Sequence, residues 1–115
     1  MDDLEELRRK LRDFAAARDW DQFHSPKNLA MALSGEAGEL LEIFQWLTDE
    51  QSRRLDDKAR SAAADEIADV LLYLVRLADK LGLDPLAEAQ RKLADNERRY
   101  PVEKARGSAK KYTEL

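Results

Sequence analysis

Apolar residues recur at three- and four-residue spacing along almost the whole of this chain, and only four glycines and three prolines interrupt them. A helix advances about 100° per residue, so that spacing gathers apolar side chains on one face, whereas a half-buried strand would alternate every second residue. The chain therefore reads as all-α, a four-helix bundle-like domain of 115 residues. The first helix is expected from near Leu4 to Arg18, with Leu4, Leu7, Leu11 and Phe14 on its stripe. Asp19 to His24 connects it to a second helix. There Ser25 caps an orphan N–H and Pro26 takes the first position, where it costs no hydrogen bond. This helix is expected to run to about Leu47, followed by a polar bridge from Thr48 to about Lys58 with room for one helical turn. The third, from near Asp57 to Leu81, stops before Gly82. Asp84-Pro85 opens a fourth that reaches Arg99 or Tyr100, ahead of Pro101. Residues 101–115 read as a polar, extended tail within the same single domain.

Charge and composition exclude several classes of function. Twenty basic and 24 acidic side chains give a net charge of -4, a poor basis for binding a nucleic-acid polymer, whose phosphates demand neutralisation. Without cysteine there are no disulfides, zinc thiolate sites or cysteine nucleophiles. No apolar run approaches the 18 or so residues that span a bilayer, and the acidic start Met1-Asp2-Asp3 lacks the positive region of a secretory leader. A soluble, cytoplasmic protein is expected. A domain this small buries only about two-thirds of its unfolded surface, so self-association would help it.

Acids stand where core residues belong. The buried stripe of the second helix is Leu29, Leu33, Leu40, Phe44 and Leu47; Glu36 falls in its middle and Glu39 on its edge, three residues on. Gly35 and Gly38 bracket Glu36 and would let a helix or ligand come close. The third helix repeats the anomaly. Ile67, Val70, Leu71, Leu74, Leu77 and Ala78 form its apolar body, with Glu66, Asp69 and Tyr73 along one border. A short connection makes the two helices antiparallel neighbours, bringing Glu36, Glu39, Glu66 and Asp69 together. A buried carboxylate is costly unless paired, protonated or bound to metal, and no Lys or Arg is expected at the core positions of these helices. All-oxygen ligation selects Mg²⁺, with Mn²⁺ as the second choice. One such pair on a helix usually marks a solvated face; two pairs inside apolar runs, with Glu36 on the core stripe, favour a site over that reading.

Asn28, Glu39 and Trp46 fall nearly on one line of the second helix, where the indole can stack a flat ligand or simply pack. On the fourth helix Lys92, Asn96 and Arg99 share a polar face suited to phosphate, sugar or base edges, although such rows are more often solvated. His24 is the only histidine, which leaves a Ser-His-Asp triad unsupported and reads first as a structural residue. A di-iron bundle would need Glu-x-x-His motifs, and no glutamate is followed three residues later by histidine.

The segments Asp19-Trp20-Asp21-Gln22-Phe23-His24, Asn28-Leu29, Gly35-Glu36-Ala37-Gly38-Glu39-Leu40, Phe44-Gln45-Trp46, Glu66-Ile67-Ala68-Asp69-Val70-Leu71 and Tyr73-Leu74 resemble the MazG-like all-α nucleotide pyrophosphohydrolases. With the ending Arg98-Arg99-Tyr100-Pro101 and Lys111-Tyr112-Thr113-Glu114-Leu115, the likeness is greatest to their dCTP pyrophosphatase branch. It covers the chain from about Leu7 onward. The resemblance implies that Glu36, Glu39, Glu66 and Asp69 bind Mg²⁺. It also implies that Trp20, His24, Asn28, Trp46 and Tyr73 form the nucleotide pocket, with Lys92 and Asn96 contributing. It further implies a dimer or a dimer-of-dimers tetramer, with pockets built partly from a neighbouring chain. Where close relatives carry a histidine in the first helix, this chain has Leu11.

The chemistry expected is hydrolysis of a nucleoside triphosphate between the α- and β-phosphates, giving a monophosphate and pyrophosphate. Carboxylate-held cations would neutralise triphosphate oxygens and acidify a water for in-line attack, Glu39 being a candidate to take its proton. There is no P-loop. The resemblance alone favours dCTP or a modified dCTP. The competing expectation is a non-catalytic assembly module, its acids paired across subunits with Arg53, Arg54 or Arg60.

Overall fold

The computed structural model describes residues 3–115, so Met1 and Asp2 of the leader argument lie outside the described residues. Among the described residues six α-helices follow in order: α1 (Asp3–Ala17), α2 (Pro26–Phe44), α3 (Asp49–Ser52), α4 (Asp57–Lys80), α5 (Pro85–Arg99) and α6 (Val102–Ala105). Among the described residues there is no strand, and no helix is long and apolar enough to cross a membrane. Two compact units divide the chain, the first extending through Leu83 and the second covering Asp84–Leu115.

Capping chemistry sets the helix starts. Ser25 Oγ accepts the Asn28 amide at 3.1 Å, Asp56 Oδ1 the Ala59 amide at 2.8 Å, and Asp84 Oδ1 the Leu86 and Ala87 amides at 3.0 and 3.2 Å. Each bond satisfies a donor that the first helical turn leaves orphaned. At the far end of α4, Gly82 adopts a φ of 68°, and the Leu83 amide reaches back to the Ala78 carbonyl at 2.8 Å. Only a residue at ease in left-handed backbone closes a helix this way cheaply.

In the first unit α4 is central, with α2 and α1 each packed on it. Its tightest part is made of Ala15, Leu29, Ala63, Val75 and Ala78; the three alanines keep side-chain bulk from holding the helices apart. Much of the expected apolar body of α4 is not covered. Ile67, Leu71 and Leu74 remain 57%, 40% and 42% exposed, because this helix is apolar around more of its circumference than α1 and α2 enclose. α1 is also tied to α4 electrostatically. Asp79 accepts both Arg12 Nε and Nη2 (2.7 and 2.6 Å) and Arg8 Nη1 at 3.1 Å.

In the second unit α5 carries an exposed Glu88–Arg91–Asp95 ion-pair run, to which Arg98 is added through Asp95. The expected extended tail is instead partly ordered. It makes α6 and a 3₁₀ turn at Tyr112–Glu114, where Tyr112 meets Tyr100 edge-on at 5.9 Å and lies beneath the Arg99 guanidinium.

Candidate functional site

Glu36 and Glu39 stand one helical turn apart on α2, as Glu66 and Asp69 do on α4, and packing of these two helices brings the pairs face to face. One ligand oxygen from each of Glu36, Glu39 and Glu66 lies within 4.8 Å of the other two. Asp69, half-buried, stands outside this trio and lines the cavity beside it. Two oxygens, Glu36 Oε2 and Glu66 Oε2, are buried with no hydrogen-bond partner. Ionised carboxylates only accept, so three of them face to face stay unsatisfied until a proton or a cation comes between them.

The electrostatics register that conflict. The hydrogen bond that a protonated Glu36 would donate to Glu66, then burial, then Glu39 and the Asp69 charge push the Glu36 carboxyl up to about 7. On Glu66 the bond with Glu36 acts in the lowering direction, yet burial, Glu39 and Asp69 leave it raised as well. Among the described residues no Lys or Arg of the same chain pairs with any of the four acids; Arg54, just past the end of α3, pairs with Glu50 at 3.0 Å. Hard, anionic, partly buried oxygens, two of them without a partner, suit a small divalent cation of the Mg²⁺ or Mn²⁺ kind.

Beside the trio lies a cavity of about 290 Å³ lined by Leu11, Phe14, Ala15, Trp20, His24, Glu36, Asp69, Leu72, Tyr73 and Arg76. Glu36 belongs to both features and Asp69 lines the cavity next to it, so the acidic cluster opens on a largely aromatic and aliphatic wall. The turn after α1 sets that wall. Trp20 donates its amide to the Ala15 carbonyl at 2.9 Å, Asp19 taking the left-handed φ of 54° this demands. Phe14 then holds the indole edge-on at 5.6 Å.

Of the pocket residues expected from sequence, Trp20, His24 and Tyr73 reach this cavity and Asn28 and Trp46 do not. Asn28 donates its side-chain N–H to the Phe23 carbonyl at 3.0 Å, bracing the turn. Trp46 lies just past the end of α2 and is 87% exposed. Lys92 and Asn96 belong to the second unit, Lys92 exposed and Asn96 half-buried. A Cβ added at Gly35 or Gly38 would meet nothing within 4 Å, so the close approach expected of those glycines is not made within this chain.

Arg76 corrects the expectation of a cation-free core. It is 6% exposed on α4, although its partners are Asp21, His24 and Asp79 rather than the acidic trio. Its position between Val75 and Leu77 in an apolar run was the available signal.

Residues 31–115 match the model of the MazG-like family. The human protein dCTP pyrophosphatase 1 is 50% identical over 115 residues, covering 97% of this chain and 67% of its own. Its bovine counterpart is 48% identical over 114 residues, covering 97% and 68%. Among solved structures, a pyrophosphatase from Archaeoglobus fulgidus superposes with a TM-score of 0.82 at 41% identity, covering 88% of this chain and 94% of that one.

Proposed function

The chain belongs to the MazG-like family and is a nucleotide pyrophosphohydrolase, and on that premise we propose that it converts dCTP, or a base-modified dCTP, to the monophosphate and pyrophosphate with Mg²⁺. The observation that carries this reading is the junction of the carboxylate trio, with its two unsatisfied buried oxygens, and the aromatic cavity that shares Glu36 with it. The curated relatives bear the name dCTP pyrophosphatase 1, which supports cytosine as the base.

Each residue's part follows from where it stands. At about 290 Å³ the cavity is at the small end of ligand pockets, room for a base with its sugar but not for three phosphates as well. The triphosphate would therefore extend toward the acids. Trp20 and Tyr73 offer aromatic faces to the base, Trp20 held in orientation by Phe14. Glu36, Glu39 and Glu66, with Asp69 alongside, would hold the cation. A bound Mg²⁺ supplies charge neutralisation of phosphate oxygens and a more acidic water. Glu39 is the exposed member of the trio, so one of its carboxylate oxygens can accept a proton from the attacking water.

Purified protein given each dNTP and NTP separately at equal concentration tests the reading. Pyrophosphate release is expected with Mg²⁺, fastest from dCTP, and none after chelation. No release from any nucleotide would overturn the proposal, and equal turnover of the four dNTPs would remove the preference for dCTP.

Assembly as a dimer or tetramer belongs to the same proposal. Ile67, Leu71 and Leu74 fall at i, i+4 and i+7 on α4 and are exposed, as are Met31 and Leu41 on α2. An exposed apolar row of this kind on a chain this small favours burial against a second copy. The exposed Trp46 indole is offered to a neighbouring chain's pocket, and a cytoplasmic setting accords with nucleotide substrates. Light scattering after gel filtration is expected to give at least twice the monomer mass for the parent chain and a smaller species for Ile67→Asp. A monomeric parent would refute the assembly.

A further inference from the structure

A buried cation backs the cavity. Arg76 donates from Nε to His24 Nδ1 at 3.1 Å, from Nη2 to Asp21 Oδ1 at 2.5 Å and from Nη1 to Asp79 Oδ2 at 3.4 Å. A guanidinium has five N–H donors, no acceptor, and keeps its charge in proteins. The imidazole nitrogen it faces must therefore be an acceptor. With Nδ1 unprotonated, a neutral ring carries its proton on Nε2. Protonating Nδ1 as well would set two donors against each other. Burial and the nearby charge of Arg76 also hold the imidazolium below the usual histidine range; Asp21 opposes this and Lys80 adds to it.

His24 and Arg76 both line the cavity that holds Trp20 and Tyr73. Among the described residues no hydrogen bond engages His24 Nε2. We propose that Arg76 is a positioning residue that holds His24 as the neutral imidazole protonated on Nε2, so that this N–H donates to an acceptor atom of the base bound in the cavity. The acceptor is a carbonyl oxygen or a ring nitrogen on the base edge. The inference rests on the reading of the cavity as the base site.

The chain has one histidine, so its imidazole can be read without assignment by two-bond ¹H–¹⁵N correlation. At neutral pH the parent protein is expected to show a pyridine-like Nδ1 and a pyrrole-like Nε2. Arg76→Met should shift both signals toward the averages of mixed tautomers, and Arg76→Lys, which can still donate to Nδ1, should restore the split. Arg76→Met strands no acid, because Asp21 keeps Lys80 and Asp79 keeps Arg8 and Arg12. In steady-state assays with dCTP and Mg²⁺, His24→Phe is expected to raise KM about tenfold, the value of one hydrogen bond, with kcat little changed. His24→Gln, whose amide N–H falls where Nε2 was, should return KM toward the parent value.

A parent spectrum with the proton on Nδ1, or an unchanged KM in His24→Phe, would overturn the proposal. These readouts need no folded Arg76→Met. Failure of the wider reading is separate: a parent protein that cleaves no nucleotide refutes the site's function, while the spectrum still decides the tautomer.

Discussion

Glu36→Gln is expected to lower pyrophosphate release from dCTP by about 10²–10³-fold, on the scale of removing one major electrostatic contact from an active site, and at the same time to raise the melting temperature of the cation-free protein. Both effects have one cause. Glu36 Oε2 is buried without a partner among carboxylates that repel it, so the ionised group destabilises the cation-free protein and, on the proposed reading, would give a cation its ligand. Gln keeps the shape and removes the charge. The pH dependence has a definite sign. The Glu36 carboxyl is raised from 4.5 to about 7, so between those values the folded state binds more protons than the unfolded one, and stability falls as pH rises through that window. Melting curves in chelator across the same window should therefore slope downward for the parent and less so for Glu36→Gln. Added Mg²⁺ should stabilise the parent, since a ligand that binds only the folded state does so by mass action. Glu42→Gln, an exposed neighbour on α2 outside the trio, serves as control. Full activity in Glu36→Gln, or a lower melting temperature without cation, would contradict this account.

The elements readable in sequence were those whose determinants are local. Ser25-Pro26, Asp84-Pro85 and Gly82 each act within a turn of the chain, and each marks a helix boundary within a residue of its expected place. The apolar spacing carries α2 on to Leu47, three residues past its end at Phe44, whereas Thr48 and Gln51 form a reciprocal capping box that opens α3. Of the four acids expected together, Glu36, Glu39 and Glu66 meet, with Asp69 beside them; helical periodicity alone puts Glu36 on a buried stripe and Glu66 on the border of another. What escaped depends on partners distant in sequence. Arg76 meets His24 and Asp21 from 52 and 55 residues away, and nothing in the spacing around Arg76 encodes them. The order of the tail depends on Tyr112 reaching back to Tyr100 and Arg99, a contact between aromatic groups that a polar stretch conceals. Exposure of Ile67, Leu71 and Leu74 was hidden for a different reason: periodicity shows that a face is apolar but not whether its own chain covers it.

Asp79→Asn is expected to destabilise the fold by about 2–4 kcal/mol, a little under the ~3–5 kcal/mol for removing one partner from a fully buried pair, because Arg12 is half-exposed. Asp79 is 6% exposed in its side chain and receives Arg8, Arg12 and Arg76 together. With the carboxylate gone, Arg76 keeps only Asp21 and His24, and Arg8 and Arg12 lose their link between α1 and α4. Asn can replace one acceptor but not the charge. The hydrogen bond from Arg12 holds the Asp79 carboxyl below its ordinary 3.8, against burial, with Arg8 adding to the effect. A depressed folded-state pKa means that this stabilisation is present above the ordinary carboxylate value and is lost as pH falls below it through the folded value. Urea denaturation at neutral pH and at successively more acidic pH should therefore show the gap between parent and Asp79→Asn closing in acid. The loss should also couple to Arg12. In a double-mutant cycle with Arg12→Met, the two changes should cost less together than the sum of each alone. An additive cycle, or a gap that stays constant into acid, would place the stabilisation of α1 on α4 in apolar packing instead.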